Sequence, residues 1–182
     1  MINYFLNFVN QNPWLNIVFI ALTLLGILLT LKSKKSKKPI YRIKSINLVK
    51  DSIDKIKCVN ISHNGEKINN LSVSKIAIWN AGEKAVRNKD VPEKGKFRIE
   101  IDDGYKILEC ELLHQINDAN DFKLIKISDN IFHIDFDYFN HNEGIVVLVY
   151  HTAITEKSLN VKGSFIDAKN IIRDDSAKKS CY

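Results

Sequence analysis

IFHIDFDYF, residues 131–139, carries the cleanest alternation of apolar and polar side chains in the sequence. Successive side chains of a strand point to opposite faces, so this period of two predicts a strand. Phe132, Ile134, Phe136 and Tyr138 are expected on its buried face, with His133, Asp135 and Asp137 on the wet one. FKLIKI at 122–127 precedes it across a turn at Ser128-Asp129-Asn130, and IVVLVYHT at 145–152 follows it across residues 140–144. The latter is apolar on both faces, the pattern of a strand central to its sheet.

The same signal extends in both directions. FRIEI at 97–101 and YKILECELL at 105–113 are predicted to form a hairpin through Asp102-Asp103-Gly104, with Leu108, Cys110 and Leu112 on one face and Glu109 and Glu111 on the other. INNLSVSKIAIWN, ending at Asn80, puts Leu71, Val73, Ala77 and Trp79 on one side and Ile76 and Ile78 on the other. Two apolar faces again argue a central strand or a bulge. IYRIKSINLV at 40–49 and KIKCVNI at 55–61 are further strands, the second meeting a tight turn at His63-Asn64-Gly65. SLNVKGSFI at 158–166 closes the series, and residues 167–182 read as a flexible tail. About nine short strands without an amphipathic helix predict an all-β, antiparallel, immunoglobulin-like sandwich over residues 40–166, with Trp79 as its core aromatic.

The N-terminus obeys a different rule. WLNIVFIALTLLGILLTL, residues 14–31, carries no charge, and twelve of its residues are Leu, Ile, Val or Phe. At ~1.5 Å per residue it reaches about 27 Å, close to a hydrocarbon core of ~30 Å. A soluble helix needs a polar face, and this one is apolar all round. A cleaved signal peptide carries its positive charges before the apolar run, whereas residues 1–31 contain no Lys or Arg. Residues 13–31 are therefore expected to be one transmembrane helix, anchored by Trp14, Phe19, Leu25 and Leu28, with Thr23 and Thr30 returning their hydroxyls to the helix's own carbonyls. A basic linker at 32–39 follows, in which Lys32, Lys34, Lys35, Lys37 and Lys38 are expected to contact lipid. Positive charge marks the cytoplasmic side. The expected address is the cell inner membrane, single pass, with the short segment 1–12 outside and the C-terminal domain in the cytoplasm.

Charge location narrows the partners. The chain's net +6, set against +7 over residues 32–44 and none over 1–31, leaves −1 for residues 45–182. Without a basic stripe on the domain, nucleic acid is not an expected partner. Cys58, Cys110 and Cys181 form no C-x-x-C pair, so neither a zinc ribbon nor a dithiol redox motif is present.

Catalytic signals are sparse. His133, Asp135 and Asp137, with His141 and Glu143 beyond, form a weak metal candidate, since same-face strand positions lie ~6–7 Å apart and a solvated face has this composition too. Cys110 or a serine could be paired with His114 or His151, but no nucleophile elbow, zinc-protease helix motif or glycine-rich phosphate loop accompanies them. No cofactor is expected. The longest polar interruption, residues 81–96, offers Glu83, Arg87, Lys89 and Asp90 as a binding loop.

KIAIWNAG…KDVP and HIDFDYFNHNEGIVVLVYHT resemble segments of little-characterised bacterial single-pass membrane proteins with one cytoplasmic immunoglobulin-like domain. The resemblance covers most of residues 50–165 and implies architecture, with no catalytic residue to carry over. The expected function is a non-enzymatic, membrane-anchored binding or scaffold module that presents its sandwich to a protein, a small ligand or further copies of itself. The alternative is a membrane-perturbing effector of bacterial defence or toxicity that oligomerises through span and sandwich.

Overall fold

A computed structural model of the chain describes residues 4, 8, 11–32, 35–49, 62–168 and 170–175. The strand expected at 55–61, Cys58, Lys34 and Cys181 lie outside them. The chain divides into two compact units, Met1–Lys35 and Ser36–Tyr182, each taken by itself here.

In the first unit Trp14–Lys32 forms a helix, α1. Thr23 donates to the Phe19 carbonyl at 2.7 Å and Thr30 to that of Gly26 at 2.8 Å, so both hydroxyls are satisfied within the helix as expected. From Ile17 to Leu29 its large apolar side chains are exposed on every side, Ile17 by 70% and Leu28 by 63%. Among the described residues no helix is long and apolar enough to cross a membrane. The side chains of α1 are described from Trp14 through Thr30, and Leu31 and Lys32 complete the helix past that point.

The second unit is mostly antiparallel β-sheet. Its larger sheet contains β1 (Pro39–Val49), β4 (Leu71–Asn80), β7 (Ile107–Gln115), β11 (Gly144–His151) and β13 (Ile172–Arg173), in the order β13-β1-β4-β11-β7. The second sheet contains β6 (Arg98–Ile101), β8 (Lys123–Ser128), β9 (Ile131–Asp135) and β12 (Leu159–Lys162), in the order β12-β6-β9-β8. Two short pairs complete it: β2 (Ser62–His63) with β3 (Glu66–Lys67), and β5 (Val86–Arg87) with β10 (Tyr138–Phe139). Ile76, Ile78, Val147 and Val149 from the larger sheet share one core with Ile99, Ile101, Phe132 and Ile134 from the second. Two antiparallel-rich sheets enclosing one core are consistent with a β-sandwich. As the sequence predicts, β4 and β11 are central, and Asn64 and Gly65 take positive φ in the β2–β3 turn.

Four expectations are corrected. Residues 97–101 and 105–113 do not form a hairpin: β6 pairs with β9 and β12, while β7 pairs with β11 in the other sheet. The Asp-Asp-Gly turn, with Gly104 at φ +90°, is an arch that crosses the core, so buried Ile101 and Ile107 plug it from both sheets. Trp79 is not the core aromatic. The buried face of β4 is Ser72, Ser74, Ile76, Ile78 and Asn80, and Trp79 sits half-buried on the opposite face beneath the Arg42 guanidinium, 5.9 Å from its ring centre.

The alternation at 131–139 also breaks. The Asn88 side chain donates to Asp135 Oδ1 and to the Phe136 carbonyl, at 2.6 and 2.8 Å, where β9 ends. The chain then re-pairs as β10 with β5, which buries Phe139 and leaves Tyr138 half-buried. A one-residue change of phase moves every later side chain to the other face. Phe139 joins Phe122, Phe136 and Phe97 in an aromatic cluster with neighbouring ring centres 5.1–5.9 Å apart. Finally, within the segment read as tail, Ile172 and Arg173 pair in parallel with Ile40 and Tyr41.

Candidate functional site

The loops at the Pro39 end of the sheets converge on the segment by which the chain reaches β1. Asn80, fully buried at the end of β4, accepts with Oδ1 from the backbone N–H of Lys38 (3.1 Å) and Gly82 (2.9 Å). Its Nδ2 donates to the Lys84 carbonyl at 2.8 Å. The Ala81 N–H donates to the Lys38 carbonyl and the Lys84 N–H to that of Ser36, so residues 36–38 are held along the loop. Gly82 is required by this approach: a Cβ there would lie 2.2 Å from the Ser36 carbonyl oxygen, a backbone atom that cannot swing away.

Lys37 completes the dock. Its ammonium lies 3.0 Å from Asp90 Oδ2 and donates to the Ile166 carbonyl at 3.0 Å, with the two side chains of the ion pair only 10% and 13% exposed. Two residues with separate roles in the sequence reading, Lys37 at a lipid surface and Asp90 in a binding loop, are ion-paired with each other. Lys35 and Lys38 remain exposed, whereas the side chain of Lys32 is not among those described.

The loop's backbone is held as well. Asp90 Oδ2 accepts from the Arg87 N–H at 2.8 Å, and the Asn88 N–H donates to the Asp137 carbonyl at 2.9 Å. Glu83, Arg87 and Lys89 stay exposed. Arg87, Lys89, Asp137 and Tyr138 line a cleft of about 600 Å³. Beyond Asn140, which also lines it, Glu143 accepts from the Asn140 N–H and from the Asn117 and Asn120 side chains, at 2.8–3.1 Å. These donors, the Asn140 N–H first, hold its carboxyl down at about 2. Glu143 is thus a staple between two loops, and His141, whose Nδ1 lies 3.1 Å from the Gly82 carbonyl, ties the same turn to the dock.

Among the described residues no three His, Cys, Asp or Glu side chains are gathered to hold a metal ion. His133 and Asp135 share the outer face of β9, but Asp135 accepts from Asn88, and Asp137 falls past the end of the strand.

The nucleophile candidates separate clearly. Cys110 is paired with core-facing Val149, while His114 is paired with outward Val146, so the two occupy opposite faces of β7. Burial pushes the Cys110 thiol up to about 12, which leaves it protonated and inert. His151, by contrast, is brought 2.7 Å from Ser74 Oγ. Its Nδ1 accepts from the Ala153 N–H at 3.2 Å, so the ring proton is on Nε2 and points at the serine. A general base needs its lone pair there instead. Burial also pushes the imidazole down to about 4, and Ser74 is hydrogen-bonded on to Ser45. Ser72 donates to the Ala153 carbonyl at 2.6 Å and accepts from Asn47 at 2.9 Å. The group is a polar lock inside the core, satisfied at each link. Sequence reading missed it because Ser72 and Ser74 look like the wet positions of an alternating strand.

No family model, curated protein or solved structure matches the chain.

Proposed function

We propose that the protein is a single-pass membrane protein of the inner membrane, N-terminus outside, whose cytoplasmic β-sandwich acts as a non-enzymatic binding or scaffold module. The observation that carries this reading is α1, whose 19 residues reach about 28 Å at ~1.5 Å each and expose apolar side chains on every side. Such a helix has no polar face to give to water, and lipid is the solvent that suits it. Trp14 at the start of the run and the lysines after it are residue types that suit the two interfaces of a bilayer. A binding role is favoured over catalysis because the two arrangements nearest to a nucleophile, Cys110 and Ser74–His151, are respectively protonated and locked. The immunoglobulin-like description rests on two antiparallel-rich sheets sharing one core, since Trp79 lies outside that core.

Topology tests the address. With Cys58, Cys110 and Cys181 replaced by Ala, Gln11→Cys is expected to react with a membrane-impermeant maleimide in intact cells, and Asp118→Cys only after lysis. Equal labelling of both before lysis contradicts the reading. For the effector alternative, the decisive result is growth arrest or dye uptake on overexpression that disappears when residues 1–31 are deleted.

A further inference from the structure

The five-stranded sheet has a second face, directed away from the core. Across it the register aligns Lys44, Lys75, Leu148 and Glu111 in one row. The neighbouring row is Ile46, Val73, Tyr150 and Glu109. Val73, Leu148 and Tyr150 make the middle of this face apolar apart from Lys75, and Ile46 and Leu48 beside it are 62% and 56% exposed. Its charges are sorted by sign: lysines on β1 and β4, glutamates on β7.

This sorting is unfavourable within one chain. Lys44 and Lys75 stand directly opposite each other on adjacent strands, where like charges repel. Glu109 and Glu111 share one face of β7 at a spacing of two. Among the described residues none of the four has an ion-pair partner. A face with apolar residues at its middle, lysines toward β1 and glutamates on β7 is complementary to a second copy of itself.

We propose that this face docks a second copy of the chain about a two-fold axis that runs along the strands, between β4 and β11. That axis lays β1 of one copy over β7 of its partner, so Lys44 meets Glu111 of the other copy twice in the interface, with Lys75 one strand further in from the same glutamates. It sets Val73 of β4 against Tyr150 of β11, and the stem of Lys75 against Leu148. The other in-plane axis, perpendicular to the strands, lays β1 on β1 and β7 on β7, and like charges meet. Direction along the strands agrees with charge. The chosen axis leaves the Pro39 ends of both copies at the same end of the dimer, as two chains held in one membrane require, and the rejected axis sends them to opposite ends.

Area sets the strength. Four strands at ~4.8 Å spacing and about 25 Å of length give roughly 500 Å² per copy and about 1,000 Å² in total, the lower limit for a specific interface. Pairing is therefore weak between free domains and is completed by confinement of both copies to one membrane. In this respect the inference rests on the anchored-module reading, whose binding partner it names.

The test uses full-length chains carrying two different tags, co-expressed, crosslinked with formaldehyde in intact membranes at low salt, and only then solubilised and recovered through one tag. Wild-type copies are expected to co-purify. Lys44→Glu/Lys75→Glu with itself, and Glu109→Lys/Glu111→Lys with itself, are each expected to lose at least about tenfold of that recovery. The two variants together restore it, because each acidic edge then faces a basic one. All four positions are exposed, so the variants keep their fold. Unpaired wild-type copies, undiminished self-pairing of either variant, or failure of the mixed pair each overturns the proposal. The same lysates report whether the chain sediments with membranes. A soluble chain whose copies still pair by this rule sinks the anchor and leaves the interface standing, and a sedimenting chain whose copies do not pair does the reverse.

Discussion

Two apolar surfaces of this protein face outward, and they are built differently. On α1 the apolar side chains run round the whole circumference from Ile17 to Leu29 with no charge among them. On the outer face of the larger sheet they lie mainly on the middle strands, with lysines on β1 and β4 and glutamates on β7. A surface with no polar member gains from any apolar solvent and specifies nothing about its neighbour. A surface with ordered charge at its margin loses part of that gain unless the neighbour carries the opposite order, so it selects a partner. The first fits the proposed lipid contact, and the second fits the proposed pairing of two copies.

The comparison breaks most readily at the helix. Leu22→Arg with Leu25→Arg places two charges near the centre of α1, at a cost of about 2.5–3.5 kcal/mol each for insertion. The expected outcome is loss of the chain from carbonate-washed membranes, and continued retention denies that lipid surrounds the helix.

A smaller effect is expected where the domain takes hold of its own tether. Asp90→Ala leaves the Lys37 ammonium almost buried without its counter-ion, which costs about 2–4 kcal/mol. Denaturant unfolding of the full chain in detergent, followed through Trp79, measures it. Lys37→Met combined with Asp90→Leu is expected to recover most of the loss, because the desolvated charge has gone with its partner.

The third effect appears only in acid. His151 is held down at about 4 against an ordinary 6.5, so between these values the unfolded chain binds a proton that the folded chain refuses. The stability is fully present above pH 6.5 and is lost as pH falls toward 4, by about 3 kcal/mol for this group. Glu143 adds a loss of the same sign between its ordinary 4.5 and about 2. His151→Gln, which keeps a donor for Ser74 but does not titrate, is expected to flatten the slope between pH 6.5 and 4 in the same unfolding assay. An unchanged slope there contradicts the polar lock.

Sequence pattern carried the reading as far as pattern is local. The uncharged run before Lys32 gives α1, and the double-faced apolarity of residues 71–80 and 145–152 gives two central strands. The sheet joined after a turn is not a local property: Asp102-Asp103-Gly104 specifies a reversal, and only the packing of Ile101 and Ile107 makes it cross the core. Lys37 and Asp90 show the same limit at the site. Each looks like an exposed charge in a polar stretch, and their pairing depends on Gly82 letting residues 36–38 approach the loop. The outer face was visible in part, since Val73 and Leu148 are apolar on the side away from the core. Sorting of its charges by sign required the register of four strands.

Cysteine accessibility along α1 tests the central claim most directly. Single cysteines at positions 17 to 29, in full-length chain without its native cysteines, are probed in native membranes with a water-soluble maleimide. The account predicts continuous protection across the whole stretch, with reactivity returning toward Gln11 and Lys35. Reactivity that rises and falls every three to four residues is the signature of a helix with one wet face, and that result contradicts a lipid-surrounded span.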